Sequence, residues 1–239
     1  MHYRIEGPAR LGGRFKPAGN KNAALPILAG SLLADDLVVL ENVPDIRDVR
    51  TMIELMESVG ATTTWEGGGR VVVDPRGVAG GELDADLSRK IRASILLAGP
   101  LLARTGSIML PPPGGDVIGR RRLDTHFLAL GKLGAEVEAG DRYELRTRRL
   151  LGADIFLDEP SVTGTENAIL AAVTADGTTR LRNAAAEPHV QDLCSFLVSM
   201  GAEIEGIGSH GLVIHGVDRL GGTSHRIGAD HIEIGSIIG

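Results

Sequence analysis

Three stretches of the chain are apolar on nearly every face: Asn22–Ala34 (NAALPILAGSLLA), Arg92–Ala103 (RASILLAGPLLA) and Glu166–Ala175 (ENAILAAVTA). A helix with no polar face has no side to turn to water, so each reads as a buried helix. Short strand-like runs follow, LVVLENV, SIMLPPP and TTRLRNA. Beyond them, the apolar spacing of Val49, Met52, Ile53 and Met56, and again of Val190, Leu193, Cys194 and Leu197, predicts amphipathic helices that cover a core. Two β-rich runs split by Gly, Asp or Ser then predict hairpins: ATTTWEGGGRVVVD, AEVEAGDRYELRT and AEIEGIGSHGLVIHG.

The order helix, strand, helix, hairpin thus occurs three times, with a further strand such as GADIFLDEPS leading into the next unit. The Gly-Ala that closes each amphipathic segment, at Gly60, Gly134 and Gly201, recurs after 74 and 67 positions. These intervals are too long for a solenoid and fit compact α/β units. Three such units about a pseudo-threefold axis would bury the apolar helices against one another, with sheets outside. Residues 1–20 and the tail beyond Gly222 fall outside the units, and HIEIGSIIG ends without a stop signal, which reads as part of a longer chain.

Composition narrows the function. Aromatics are only 3% while glycine reaches 33 residues, so small aliphatic side chains do the packing. A net charge of −6 argues against general nucleic-acid binding, which needs a basic stripe. Cys194 is the single cysteine, which excludes internal disulfides and cysteine-rich metal sites. The histidines show no metal-ligand spacing, and neither a metal nor a cofactor is expected. The longest apolar runs are about half of the ~20 residues a membrane span requires, and MHYRIEGPAR, charged at Arg4, Glu6 and Arg10, has no apolar core of a secretory signal, so a cytoplasmic protein is expected.

One loop carries unusual chemistry. LPPPGGDVIGRRRLDTH, Leu110 to His126, sets Asp116 near Arg120, Arg121 and Arg122 behind a stiff Pro-Gly entry. From the residues alone it is either a solvated surface turn or a local anion site.

Five separated motifs, in order, bear on that choice: PAGNKNAALPIL, RKIRASILLAGPL, PGGDVIGRRRLDTH, SVTGTENAILAA and ADHIEIGS. They resemble those of the UDP-N-acetylglucosamine enolpyruvyl transferases, which open peptidoglycan synthesis. GNKNAALP is unlike the lysine-serine motif of the related shikimate-pathway enzymes. The resemblance implies an α/β protein of the inside-out barrel type, three βαβαββ units per domain, with the active site between two domains. It covers the amino-terminal half of the family's chains. Residues 1–20 and 230–239 would then belong to a second domain and 21–229 to the three-repeat domain.

The resemblance also implies roles. Phosphoenolpyruvate and UDP-N-acetylglucosamine would be the small-molecule partners, with no nucleic acid or membrane. Lys21 would bind phosphoenolpyruvate and Asn22 the UDP-sugar; Arg92 and Arg121 would grip phosphates, as a planar guanidinium can. Asp116 stands where many members have cysteine and would protonate the methylene carbon, with insensitivity to fosfomycin as a consequence. Arg121, Arg122, Leu123, Asp124 and Thr125 align with a uridine-holding stretch, Ser161, Val162 and Thr163 with a diphosphate loop, and Asp230 with an acid at the hinge. Departures from the pattern stand at Leu96, Glu159 and Arg122. The competing reading is a UDP-sugar-binding module without activity, or one subunit of a split enzyme.

Overall fold

The computed structural model describes residues 3, 4, 7, 8, 10, 12–115 and 122–239. In the first unit, Asn20 caps α1 (Lys21–Ser31), its side-chain oxygen accepting from the Asn22 and Ala23 amides. Strand β1 (Val38–Glu41), helix α2 (Arg47–Ser58) and the hairpin β2 (Thr62–Gly67) and β3 (Arg70–Asp74) follow. The second unit enters through β4 (Gly81–Glu82) and α3 (Ala85–Lys90). A 3₁₀ segment, Arg92–Leu97, then runs into α4 (Ala98–Thr105), β5 (Ser107–Leu110), α5 (Asp124–Lys132) and the hairpin β6 (Glu136–Ala139) and β7 (Tyr143–Arg146). The third unit holds β8 (Asp154–Phe156), α6 (Val162–Ala172), β9 (Thr178–Arg182), α7 (Pro188–Ser199), β10 (Glu203–Glu205) and β11 (Gly211–His215). Strand β12 (Thr223–Arg226) and helix α8 (His231–Ile238) end the chain.

The strands form three four-stranded sheets, β12-β1-β3-β2, β4-β5-β7-β6 and β8-β9-β11-β10. Their order is the same: a leading strand parallel to the next, then the two antiparallel arms of the closing hairpin. The leading strand of the first sheet is β12, which lies after the third unit, so the end of the repeat array returns to its beginning. The repeat extends to single residues. Asn42 and Asn183, each just past the central strand of its unit, both take positive φ (59° and 58°). Each donates to a carbonyl of the leading strand's exit, Ile227 and Leu157 respectively, at 2.9 Å.

The apolar helices are buried as expected: every residue of α1 from Ala23 onward and of α6 from Gly164 onward is inside. Arg104 on α4 donates to the carbonyls of Leu32 and Ala34 at 3.0 and 2.9 Å, satisfying and neutralising the carboxyl end of the first helix.

The second buried helix departs from the continuous one predicted over Arg92–Ala103. Asn167 of α6 inserts its amide into it: Oδ1 accepts from the Gly99 N–H, and Nδ2 donates to the Ile95 carbonyl, both at 2.8 Å. Those two groups would otherwise bond each other across one α turn. Pro100, lacking an N–H, also deprives the Leu96 carbonyl of its helical partner. The helix therefore tightens into a 3₁₀ turn before resuming. The third helix begins earlier than its apolar run suggested, because Ser161 caps it by accepting from Gly164 N–H at 3.2 Å.

Residues 18–20 and 228–230 run side by side: Asn20 N–H donates to Gly228 O and Asp230 N–H to Ala18 O, at 2.8 and 2.9 Å. No described helix is long and apolar enough to cross a membrane.

Candidate functional site

The threefold repetition brings the amino-terminal ends of the three buried helices to one cavity of about 380 Å³. The first two residues of each line it: Lys21 and Asn22 of α1, Arg92 and Ala93 of the 3₁₀ segment, Val162 and Thr163 of α6. Helix starts carry unsatisfied N–H groups and about half a positive charge each, so their convergence favours a negatively charged ligand. Arg92 and Lys21 add formal charge at the same wall. Lys21 donates to Asp48 of α2 at 3.1 Å, with both side chains partly exposed, so Asp48 holds the ammonium at the mouth of the cavity.

Arg92 stands at a junction, since it also lines a second cavity of about 740 Å³. Arg122, Leu123, Asp124, Pro112 and Pro113 share that space, and Arg92 donates to the Arg122 carbonyl at 3.1 Å. Arg122 pairs with Asp124. One wall is aromatic: the Phe127 and Tyr143 rings lie 4.8 Å apart between centroids. Prolines and aromatic rings suit a planar apolar group, and Asp124 suits a donor on its edge.

The Pro-Gly entry to the arginine loop packs on the end of α3. Gly114 and Gly115 donate to the carbonyls of Ser88 and Arg89 at 3.0 and 3.3 Å. A Cβ on Gly114 would stand 1.7 Å from the Arg89 oxygen, so only glycine permits this approach. Gly115 lines the first cavity, and Asp116 is the next residue in sequence. Asp116, Arg120 and Arg121 lie outside the described residues.

Behind the wall runs a buried polar chain. Asn167 Nδ2 donates to His126 Nδ1 at 2.8 Å, which leaves the ring proton on Nε2 to donate to Thr163 Oγ1 at 3.1 Å. Burial, with the Arg92 charge nearby, lowers the His126 pKa to about 4, so the ring is neutral and this tautomer is fixed. A cavity-lining hydroxyl is thereby held by two residues of different repeats.

The remaining expected residues are arranged differently from a single binding surface. Val162 and Thr163 form the first turn of a helix rather than a loop, and α1 starts at Lys21, one position before the apolar run. Ser161 is occupied as a cap, and Thr125 is buried with its hydroxyl donating to Asp158 at 2.7 Å. Asp230 caps α8, accepting from the Ile232 and Glu233 amides at 2.9 and 3.2 Å, and lines neither cavity. Four polar cavity residues escaped the sequence reading: Asp48, Lys90, Glu166 and His189. Glu166 had a legible signal, an acid opening an apolar helix; Asp48 and His189 had none.

Three repeated units, whose buried helices bring their starts to one cavity, define a three-sheet α/β protein. The chain belongs to the EPSP synthase (3-phosphoshikimate 1-carboxyvinyltransferase) family, whose model matches residues 5–238. It is 60% identical over its full length to a Bradyrhizobium diazoefficiens protein named UDP-N-acetylglucosamine 1-carboxyvinyltransferase, and 54% identical to the Treponema denticola protein of that name. It covers 56% of each, so the chain spans about half the length of the curated relatives it matches. Among solved structures it resembles the enolpyruvyl transferase NikO from Streptomyces tendae. That match has a TM-score of 0.83 at 27% identity, and covers 98% of this chain and 56% of NikO. An Acinetobacter baumannii EPSP synthase, at 17% identity and TM-score 0.72, shares the fold over 91% of this chain and 50% of its own.

Proposed function

We propose that this chain supplies the UDP-sugar half of a site that transfers the enolpyruvyl group of phosphoenolpyruvate to the 3-hydroxyl of UDP-N-acetylglucosamine, releasing phosphate. The observation that carries the reading is the convergence of three helix starts with Lys21 and Arg92 on one cavity, joined at Arg92 to an aromatic and proline-lined second cavity. Two anionic substrates need that much positive potential, and a planar base needs the second space. The names of the relatives at 60% and 54% identity agree with it.

In this reading the Phe127, Tyr143 and proline wall takes the uracil, Arg92 bridges toward the diphosphate, and Asn22 faces the sugar. Lys21 exchanges Asp48 for the phosphoenolpyruvate phosphate, offsetting charge as it shifts to the leaving oxygen. Asp116 gives a proton to the methylene carbon while the sugar hydroxyl, losing its proton to a base from the second lobe, adds to the neighbouring carbon; the adduct then expels phosphate and gives back a methyl proton, which restores the double bond. His126 acts through Thr163, keeping its hydroxyl aimed. No step calls for a metal or a cofactor.

Residues 18–20 and 228–230 would be the crossing to a second lobe, which the family's members place across the active site. We expect the chain alone to bind without turning over, and to work in the cytoplasm where its nucleotide-sugar is made. Calorimetric titration of the chain with UDP-N-acetylglucosamine tests the reading. One saturable site, competed by UDP, is expected; no heat at millimolar ligand would overturn it.

A further inference from the structure

Two polar atoms in the first cavity have no partner among the described residues: Glu166 Oε1 and His189 Nδ1. Glu166 is 1% exposed, on the second turn of α6, and His189 is 7% exposed, on the first turn of α7. Burying a polar group without a hydrogen bond costs stability, so a fold that keeps two such groups on one cavity holds them for something that enters it. His189 is set by stacking on His231, whose ring lies parallel within 8° at 5.9 Å, and His231 is itself fixed by Asn20 at 3.0 Å.

We propose that Glu166 and His189 form a polar subsite that reads an uncharged hydrogen-bonding group on the sugar of the UDP-sugar, leaving the anionic groups to Arg92 and Lys21. The inference rests on the reading given under Proposed function. The division follows from charge. Among the described residues no cation lies within hydrogen-bonding distance of Glu166, so an anion placed there would meet a carboxyl without compensation from them. A hydroxyl or amide would satisfy both orphaned atoms. Burial, with the Glu187 carboxylate beyond it, pushes the Glu166 carboxyl well above the usual carboxylate range. That favours the protonated form, which donates as well as accepts. Burial, with Glu166 nearby, also pushes the Cys194 thiol of α7 up to about 12, so no thiolate competes for the proton.

The test compares UDP-N-acetylglucosamine with UDP on the wild-type chain, Glu166→Leu and Glu166→Gln, by calorimetric titration and thermal melting. Leucine should weaken the UDP-sugar about tenfold, the effect of one lost hydrogen bond, and leave UDP unchanged. Glutamine, uncharged with a donor and an acceptor, should recover most of that loss. Glu166→Leu should melt at or above the wild-type temperature, because an orphaned buried group has been removed. A leucine variant that keeps the UDP-sugar affinity, weakens UDP equally, or melts several degrees lower overturns the subsite while the wider reading stands. A wild-type chain that binds neither ligand removes both.

Discussion

Protonating His126 should unlock the wall of the cavity. The ring is buried and neutral with its pKa lowered to about 4, against 6.5 in an unfolded chain. In the unfolded state the imidazole takes up a proton as pH falls through 6.5; in the folded state it refuses one until about 4. Stability from this residue is therefore complete above 6.5 and is lost as pH falls through that window. Integrated from pH 7.5 to 4.5, the loss is about 2.5 kcal/mol. Other groups titrate over the same range, and Glu166, raised, contributes with the opposite sign. Comparison with His126→Gln removes them, since they are common to both proteins. Urea midpoints from pH 7.5 to 4.5, converted with the measured slopes, give the difference directly. The wild-type curve should fall more steeply than that of His126→Gln by about 2.5 kcal/mol. Parallel curves would refute the buried neutral ring and the tautomer that holds Thr163.

Asn167→Asp keeps the acceptor for Gly99 but faces His126 Nδ1 with a carboxylate, so the imidazole pKa, followed by NMR, should rise from about 4 past 6.5; an unchanged value would contradict the assigned hydrogen bond. Arg92→Lys should weaken UDP-N-acetylglucosamine at least tenfold, because an ammonium cannot serve both cavities and the Arg122 carbonyl at once. Full affinity in the lysine variant would show that Arg92 is a simple point charge. Asp116→Cys should gain one fosfomycin adduct by intact mass, with Cys194 unmodified because its thiol is buried and titrates near 12. Absence of an adduct at position 116 would place that loop away from the epoxide site.

Much of this was legible in the chain because the units repeat. A helix apolar on every side has one place to go, and three of them fix the centre; the hairpin patterns then supply the sheets. What was illegible came from contacts between repeats. Nothing around Ile95 and Gly99 announces that Asn167, some 70 positions later, will take both their hydrogen bonds. The family resemblance marked Ser161 and Asp230 as candidate ligand groups; in the structure their side-chain oxygens cap α6 and α8, contacts that no spacing in the chain announced. Lys21, Asn22, Arg92, Val162 and Thr163 came together because each lies in the first turn of a buried helical segment; the apolar runs implied this for Asn22 and Arg92, which open two of them, while Val162 and Thr163 precede the third run.

The most direct test of the account joins this chain to the carboxy-terminal portion of the Bradyrhizobium relative, at 60% identity over the shared part, and follows phosphate release from phosphoenolpyruvate. The chimera should release phosphate only when UDP-N-acetylglucosamine is present, and Lys21→Ala should abolish it. A chimera that folds and stays silent while the intact relative turns over in the same assay would contradict the claim that this chain provides a working half of an enolpyruvyl transferase.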